Sequence, residues 1–314
     1  MSIINKYEIN AKRILVFGDL HQQIDWARRI LGKEKNNYDF LIILGDFFDS
    51  FFSPPRVAGA AETAKFVLEI QSGKYGPYFL CLGNHEMPVM ESWHDNQKYK
   101  KRHLHYNCCS GYTNSKSLEV NKIFKWGNWR NFHVFCKCQD IIFSHAGFSS
   151  KYLEQYHISL DDNNLDNLWE ETEDALEHIS HGPSRIFDCG AARGGIHNVG
   201  GPLWADFNSE FTCVKDVSQV FGHSMVMAPT IAYFDKNKNT ITNSYYSFNA
   251  WDHKEISYNL DCSQSYYGIL ENGRFTFKKL EGNPKLKRDI RVFDKVFEEF
   301  KQAEIDRLAN LIKL

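Results

Sequence analysis

Five short segments of this 314-residue chain set a turn-forming Gly or Ser directly before side chains that can bind a divalent cation. They are Gly18-Asp19-Leu20-His21, Gly45-Asp46-Phe47-Phe48-Asp49, Gly83-Asn84-His85-Glu86, Ser144-His145-Ala146-Gly147 and Gly222-His223-Ser224. Taken singly, a Gly-Asp pair reads as a turn and a lone histidine as a hydrogen-bonded loop residue. Taken in order, the set offers carboxylate, imidazole and amide-oxygen donors, a nitrogen- and oxygen-rich mixture suited to Mn, Fe or Zn. The absence of cysteine from the set disfavours a closed structural zinc site. Six ligands are too many for one catalytic metal that must keep an open position, and enough for two if one carboxylate bridges them.

Each segment follows a short apolar run: 14–17, 40–44, 78–82, 141–143 and 220–221. These runs are too short for helices and show no alternation, so they read as buried strands covered on both faces. Between the first and second, Trp26, Ile30 and Leu31 fall at helical spacing; between the second and third, Ala64, Val67, Leu68 and Ile70 do the same. Strand–helix–strand alternation predicts an α/β fold with right-handed crossovers. Its functional crevice lies beyond the carboxyl ends of the strands, where the five polar segments stand.

The motifs resemble the ordered signature of the calcineurin-like metallophosphoesterases. The version here is similar to the phosphoprotein phosphatase branch, with its phage-type Ser/Thr protein phosphatases and symmetrical diadenosine tetraphosphatases. Leu203-Trp204-Ala205-Asp206-Phe207 is similar to the Leu-Trp-Ser-Asp-Pro stretch of that branch. The resemblance implies a four-layer αββα sandwich of two mixed sheets with the metals at one edge. It also implies a first metal on Asp19, His21 and Asp46, with Asp46 bridging to a second on Asn84, His145 and His223. Asn84 would also meet the substrate phosphate, and His85, oriented by Asp49, would stand near the leaving group. Two ions about 3.5–4 Å apart can activate a shared water and clamp phosphoryl oxygens for in-line displacement, and a positioned proton donor adds about 10²–10⁴-fold.

One feature of that pattern is broken. The resemblance implies an arginine after Asp49, where this chain has Ser50, and another after the Trp204 stretch, where 207–223 holds none. Phosphate oxygens favour a guanidinium partner. Arg193, in a Gly-rich loop ahead of Trp204, is the leading substitute, with Arg56 and Arg185 as further candidates. The expected activity is hydrolysis of phosphomonoesters of protein or small molecules. A diadenosine polyphosphate or nucleotide pyrophosphohydrolase, a phosphodiesterase and a non-catalytic metal- and phosphate-binding module are the alternatives.

Composition is that of a globular protein: 43% hydrophobic and 24% charged residues, with 37 Lys+Arg against 39 Asp+Glu. The near-neutral charge argues against bulk nucleic-acid coating, and no apolar run is long enough to span a membrane. Eight cysteines without a Cys-x-x-Cys pair or an evident signal segment read as free thiols in a cytoplasmic enzyme. A catalytic domain is expected over 1–285, with rim insertions at 87–133 and 148–201. An amphipathic C-terminal helix is expected over 286–314, packed on the domain or forming a dimer face. The basic run 98–103 could steer an anionic substrate or be a solvated face, and His178 with His181 could bind metal or lie on the surface.

Overall fold

The apolar runs that read as strands are buried along their length and lie side by side. The structure, a computed structural model, describes residues 3–50, 57–98, 109, 111–226, 230–235, 240–245, 256–261 and 266–280. A hairpin of β1 (Ile3–Asn5) and β2 (Glu8–Asn10) precedes β3 (Arg13–Phe17), α1 (Ile24–Lys33), β4 (Phe40–Ile43), α2 (Ala60–Gln71) and β5 (Tyr78–Cys81). Helices α3 (Met87–Lys98), α4 (Asn114–Ile123) and α5 (Trp126–Trp129) lead to β6 (Phe132–His133), β7 (Phe135–Cys138) and β8 (Ile141–Ser144). After α6 (Ser150–Tyr156) and α7 (Asp162–Glu177) come β9 (Ser218–Phe221), β10 (Thr230–Asp235), β11 (Thr240–Tyr245), β12 (Ser257–Asn259), β13 (Tyr266–Glu271) and β14 (Arg274–Lys279).

Two mixed sheets result. One runs β14-β13-β3-β4-β5-β6, the other β1-β2-β7-β8-β9-β12-β10-β11. In the first, β3, β4, β5 and β6 are parallel and joined by crossovers. In the second, β8, β9 and β12 are parallel neighbours. Ile14, Leu41 and Leu80 from one sheet share a continuous apolar core with Phe135, Phe143 and Val220 from the other. Helix α1 turns Ile24, Trp26, Ala27, Ile30 and Leu31 inward, the stripe its 3.6-residue period provides. The α/β sandwich expected from the sequence is therefore present.

The stretch 87–133, expected as a rim insertion, differs at its end. Phe132 and His133 pair with Leu80 and Cys81 and extend the sheet. A two-residue strand has no periodicity to read, which is why the sequence hides it. The N-terminal hairpin and β7 were equally silent. Cys81, Cys136 and Cys138 are buried free thiols. The expected C-terminal helix, Arg56 and residues 99–103 of the basic run lie outside the described residues. Among the described residues, no helix is long and apolar enough to cross a membrane.

Candidate metal centre and active site

The parallel strands end at a common edge, and their loops converge there. Asp19 and His21 follow β3, Asp46 and Asp49 follow β4, Asn84 and His85 follow β5, His145 follows β8 and His223 follows β9. Three of these loops hold a non-glycine residue in the left-handed region: His21 (φ 41°), Asp46 (φ 52°) and His223 (φ 66°). Backbone strain of this kind persists where surrounding contacts over-determine a site. At Gly222 a β-carbon would overlap Asp19 Oδ1, so the chain closes on that carboxylate only with glycine there.

Five side chains fall into two groups that share one residue. Asp19, His21 and Asp46 form the first; Asp46, His145 and His223 form the second. Asp46 Oδ2 lies 3.6 Å from His21 Nε2, while Asp46 Oδ1 lies 3.5 Å from His145 Nε2. One carboxylate thus presents one oxygen to each group. Asn84 Oδ1 joins the second group at 2.9 Å from both His145 Nε2 and His223 Nδ1, which are themselves 3.2 Å apart. Donors bound to one cation at about 2.0–2.2 Å stand roughly 3 Å from each other at right angles. The observed spacings match that.

The surroundings orient the donors. His145 Nδ1 pairs with the Leu44 carbonyl at 2.8 Å and His21 Nδ1 with the Asp49 carbonyl at 2.9 Å. Each ring therefore commits one N–H to the backbone and leaves its Nε2 lone pair facing the group, the usual support for a ligating histidine. The His223 backbone N–H donates to both Asp19 oxygens at 3.1 Å. Burial, then the neighbouring His145 and Arg193, keeps the His223 imidazole well below its ordinary pKa, in the neutral form a metal requires. Burial and the charges of Asp261 and Asp46 push Asp19 well above the ordinary carboxylate range. Burial also opposes ionisation of Asp46, but the imidazoles of His145, His85, His21 and His223 outweigh it and hold the carboxylate ionised. So many buried acids in one place call for added positive charge. The donor set fits two divalent cations.

His85 and Asp49 stand beside the groups. His85 Nδ1 bonds Asp49 Oδ2 at 3.0 Å, and its Nε2 points towards Asp46 Oδ2, 3.8 Å away. Burial pulls the His85 pKa down, but the Asp46 charge and the Asp49 hydrogen bond prevail and hold it at about 9. Burial opposes the Asp49 charge, while His85 and Lys116 as hydrogen-bond donors lower its pKa overall.

Arg193 is no solvated loop residue. Its Nη2 donates to Ser224 Oγ at 2.8 Å and pairs with Asp206 Oδ2 at 2.9 Å, next to His223. Among the described residues its Nε is buried without a partner. Arg185 lies away from the metal groups, with both nitrogens Nε and Nη2 held by the Glu171 carboxylate at 2.6 Å. His178 pairs with Asp174 at 3.0 Å on α7, and no metal-binding group forms around it among the described residues. Trp129 and Trp204 are buried in the core.

Three contributors carry weaker sequence signals. Glu86 Oε2 accepts the Asp46 and Gly83 N–H groups at 2.8 and 3.1 Å, and Oε1 those of Phe47 and Phe48 at 2.7 and 3.3 Å. Burial and the Asp46 charge push this acid up, yet the four backbone N–H donors favour the ionised form. It clamps two ligand loops together. Glu86→Gln should turn one acceptor into a donor facing N–H groups and cost about 1–3 kcal/mol, read as a lowered midpoint in urea unfolding. An unchanged midpoint would show that the loops hold without it. Asp261, just past β12, places a further buried carboxylate near Asp19, and Lys116 on α4 reaches Asp49.

A family model described as calcineurin-like phosphoesterase matches residues 12–227, more than half of the chain. Among solved structures, a cold-active protein-tyrosine phosphatase of a psychrophilic Shewanella species superposes with TM-score 0.51 and 18% identity, covering 89% of this chain and 83% of that one. A metallophosphoesterase from Sphaerobacter thermophilus gives 0.46 and 13%, covering 89% and 94%. A protein serine/threonine phosphatase from Saccharomyces cerevisiae gives 0.39 and 14%, covering 87% and 81%. At 18% identity the first likeness is one of fold. No curated protein matches the chain.

Proposed function

The chain belongs to the calcineurin-like phosphoesterases, metal-dependent hydrolases of phosphoric esters, and on that premise we propose that it is a two-metal phosphomonoester phosphatase. The observation that supports this most is the division of Asp46 between two donor groups, one oxygen to each. Asp19, His21 and Asp46 would hold one cation; Asp46, Asn84, His145 and His223 would hold the other. The donors are nitrogen and oxygen only, which favours Mn, Fe or Zn. Once bound, such a pair supplies a water nucleophile at neutral pH and neutralises charge on the phosphoryl oxygens.

The chain's own side chains do the rest. Asn84 faces the phosphoryl group as well as the second cation. His85 carries a proton on Nε2, on the side that faces the metal groups, and gives it to the departing oxygen. Asp49 holds the opposite nitrogen, which fixes the ring and favours its protonated form. Arg193, braced by Asp206 and Ser224, offers its remaining N–H donors to a phosphate oxygen. The catalytic unit takes in residues 1–285, and the stretches 87–133 and 148–201 shape its rim.

A panel assay with Mn tests the reading: p-nitrophenyl phosphate, its bis ester, phosphopeptides and diadenosine tetraphosphate. The solved neighbour described as a protein-tyrosine phosphatase is the reason to include phosphotyrosine beside phosphoserine peptides. Monoesters should turn over fastest; preference for the bis ester or the dinucleotide would replace this reading. Arg193→Ala should raise KM for a monoester about tenfold, the worth of one charge-assisted hydrogen bond. Unaltered KM and kcat would remove Arg193 from phosphate binding.

A further inference from the structure

The rim reaches onto the site at three points. Cys109 Sγ donates to the Asn84 carbonyl at 2.9 Å. Gly111, with φ +90°, packs so closely on Asp49 that a β-carbon would overlap both carboxylate oxygens. Lys116, whose backbone N–H is capped by Thr113 Oγ1 at 3.3 Å, sends its Nζ to Asp49 Oδ1 and to the Gly111 carbonyl, the latter at 3.0 Å. Asp49 therefore sits between His85, on Oδ2, and the Lys116 ammonium, on Oδ1.

Lys116 is the more exposed member of its ion pair with Asp49. Its side chain is 30% exposed while Asp49 is buried. An ammonium has three donors, and the two contacts above spend two. Beside it, Ser50 gives Asp49 Oδ1 only a neutral backbone N–H, at 2.8 Å. A lysine head is a compact point charge on a flexible stem, suited to answering total charge more than bidentate shape.

We propose that Lys116 matches the second negative charge of the substrate, so that the site favours dianionic phosphate groups, monoesters and inorganic phosphate, over monoanionic diesters. This deepens the phosphatase reading and rests on it. At one distance, attraction to a dianion is twice that to a monoanion, so the residue discriminates by charge. A mere prop for Asp49 would weaken both ester classes alike.

Two variants separate charge from hydrogen bonding. Lys116→Gln keeps a donor towards Asp49 and Gly111 without charge; Lys116→Arg keeps the charge. In Mn-loaded protein, the ratio of kcat/KM for p-nitrophenyl phosphate to that for its bis ester should fall about tenfold in the Gln variant and be restored in the Arg variant. Calorimetric titration should show the Gln variant losing affinity for inorganic phosphate and far less for dimethyl phosphate. An equal loss for both esters, or no loss, overturns the proposal. Selective loss of phosphate binding in a protein whose wild type hydrolyses neither ester would sustain the charge role and sink the catalytic reading. Hydrolysis with unaltered phosphate binding would do the reverse.

Discussion

An Asp46→Asn chain should retain at most one divalent ion where the wild type retains two, with phosphatase activity down by about three orders of magnitude or more. The carboxylate gives one oxygen to the His21 side and the other to the His145 side. An amide has one acceptor oxygen and no charge, so at most one group keeps its ligand, and an N–H₂ faces the other. The fold should survive the change. Residue 46 sits at φ 52°, a conformation asparagine tolerates as well as aspartate. Metal content by plasma emission, alongside a circular dichroism melt, checks both statements. Two ions and full turnover in this variant would show that Asp46 does not bridge.

His85→Asn isolates the proton. Its Nε2 stands 3.8 Å from the nearest Asp46 oxygen and outside both donor groups, so both ions should remain bound. Turnover should fall by about 10²–10⁴-fold on a substrate with a poor leaving group. The fall should be smaller on p-nitrophenyl phosphate, whose leaving group departs with little help from an acid. A loss independent of the leaving group would assign His85 to binding or structure instead of proton delivery.

How much of this was legible beforehand follows from where each residue sits. The donors at 19, 21, 46, 84, 145 and 223 each stand within a few residues of a buried strand's carboxyl end, so a local pattern and a rule about sheet edges bring them to one place. His85 and Asp49 share those loops. Glu86 was visible in its motif, but its work depends on N–H groups of residues 46, 47 and 48, about forty positions away. Lys116 had no local signal. It reaches Asp49 across 67 positions, from a helix in a polar rim stretch. Asp261 lies just past β12, a strand inserted between β9 and β10 in the sheet, an order no spacing announces. Arg193 was a candidate by its glycine-rich loop, whereas its Asp206 and Ser224 anchors are tertiary. Side chains on strand ends were readable; those that arrive from the rim were not.

The shared carboxylate is tested most directly by anomalous diffraction from crystals of the Mn-loaded protein. The structure predicts two strong peaks flanking Asp46, about 3.5–4 Å apart, one against Asp19 and His21, the other against Asn84, His145 and His223. A single peak, or two peaks with Asp46 beside only one of them, would contradict it.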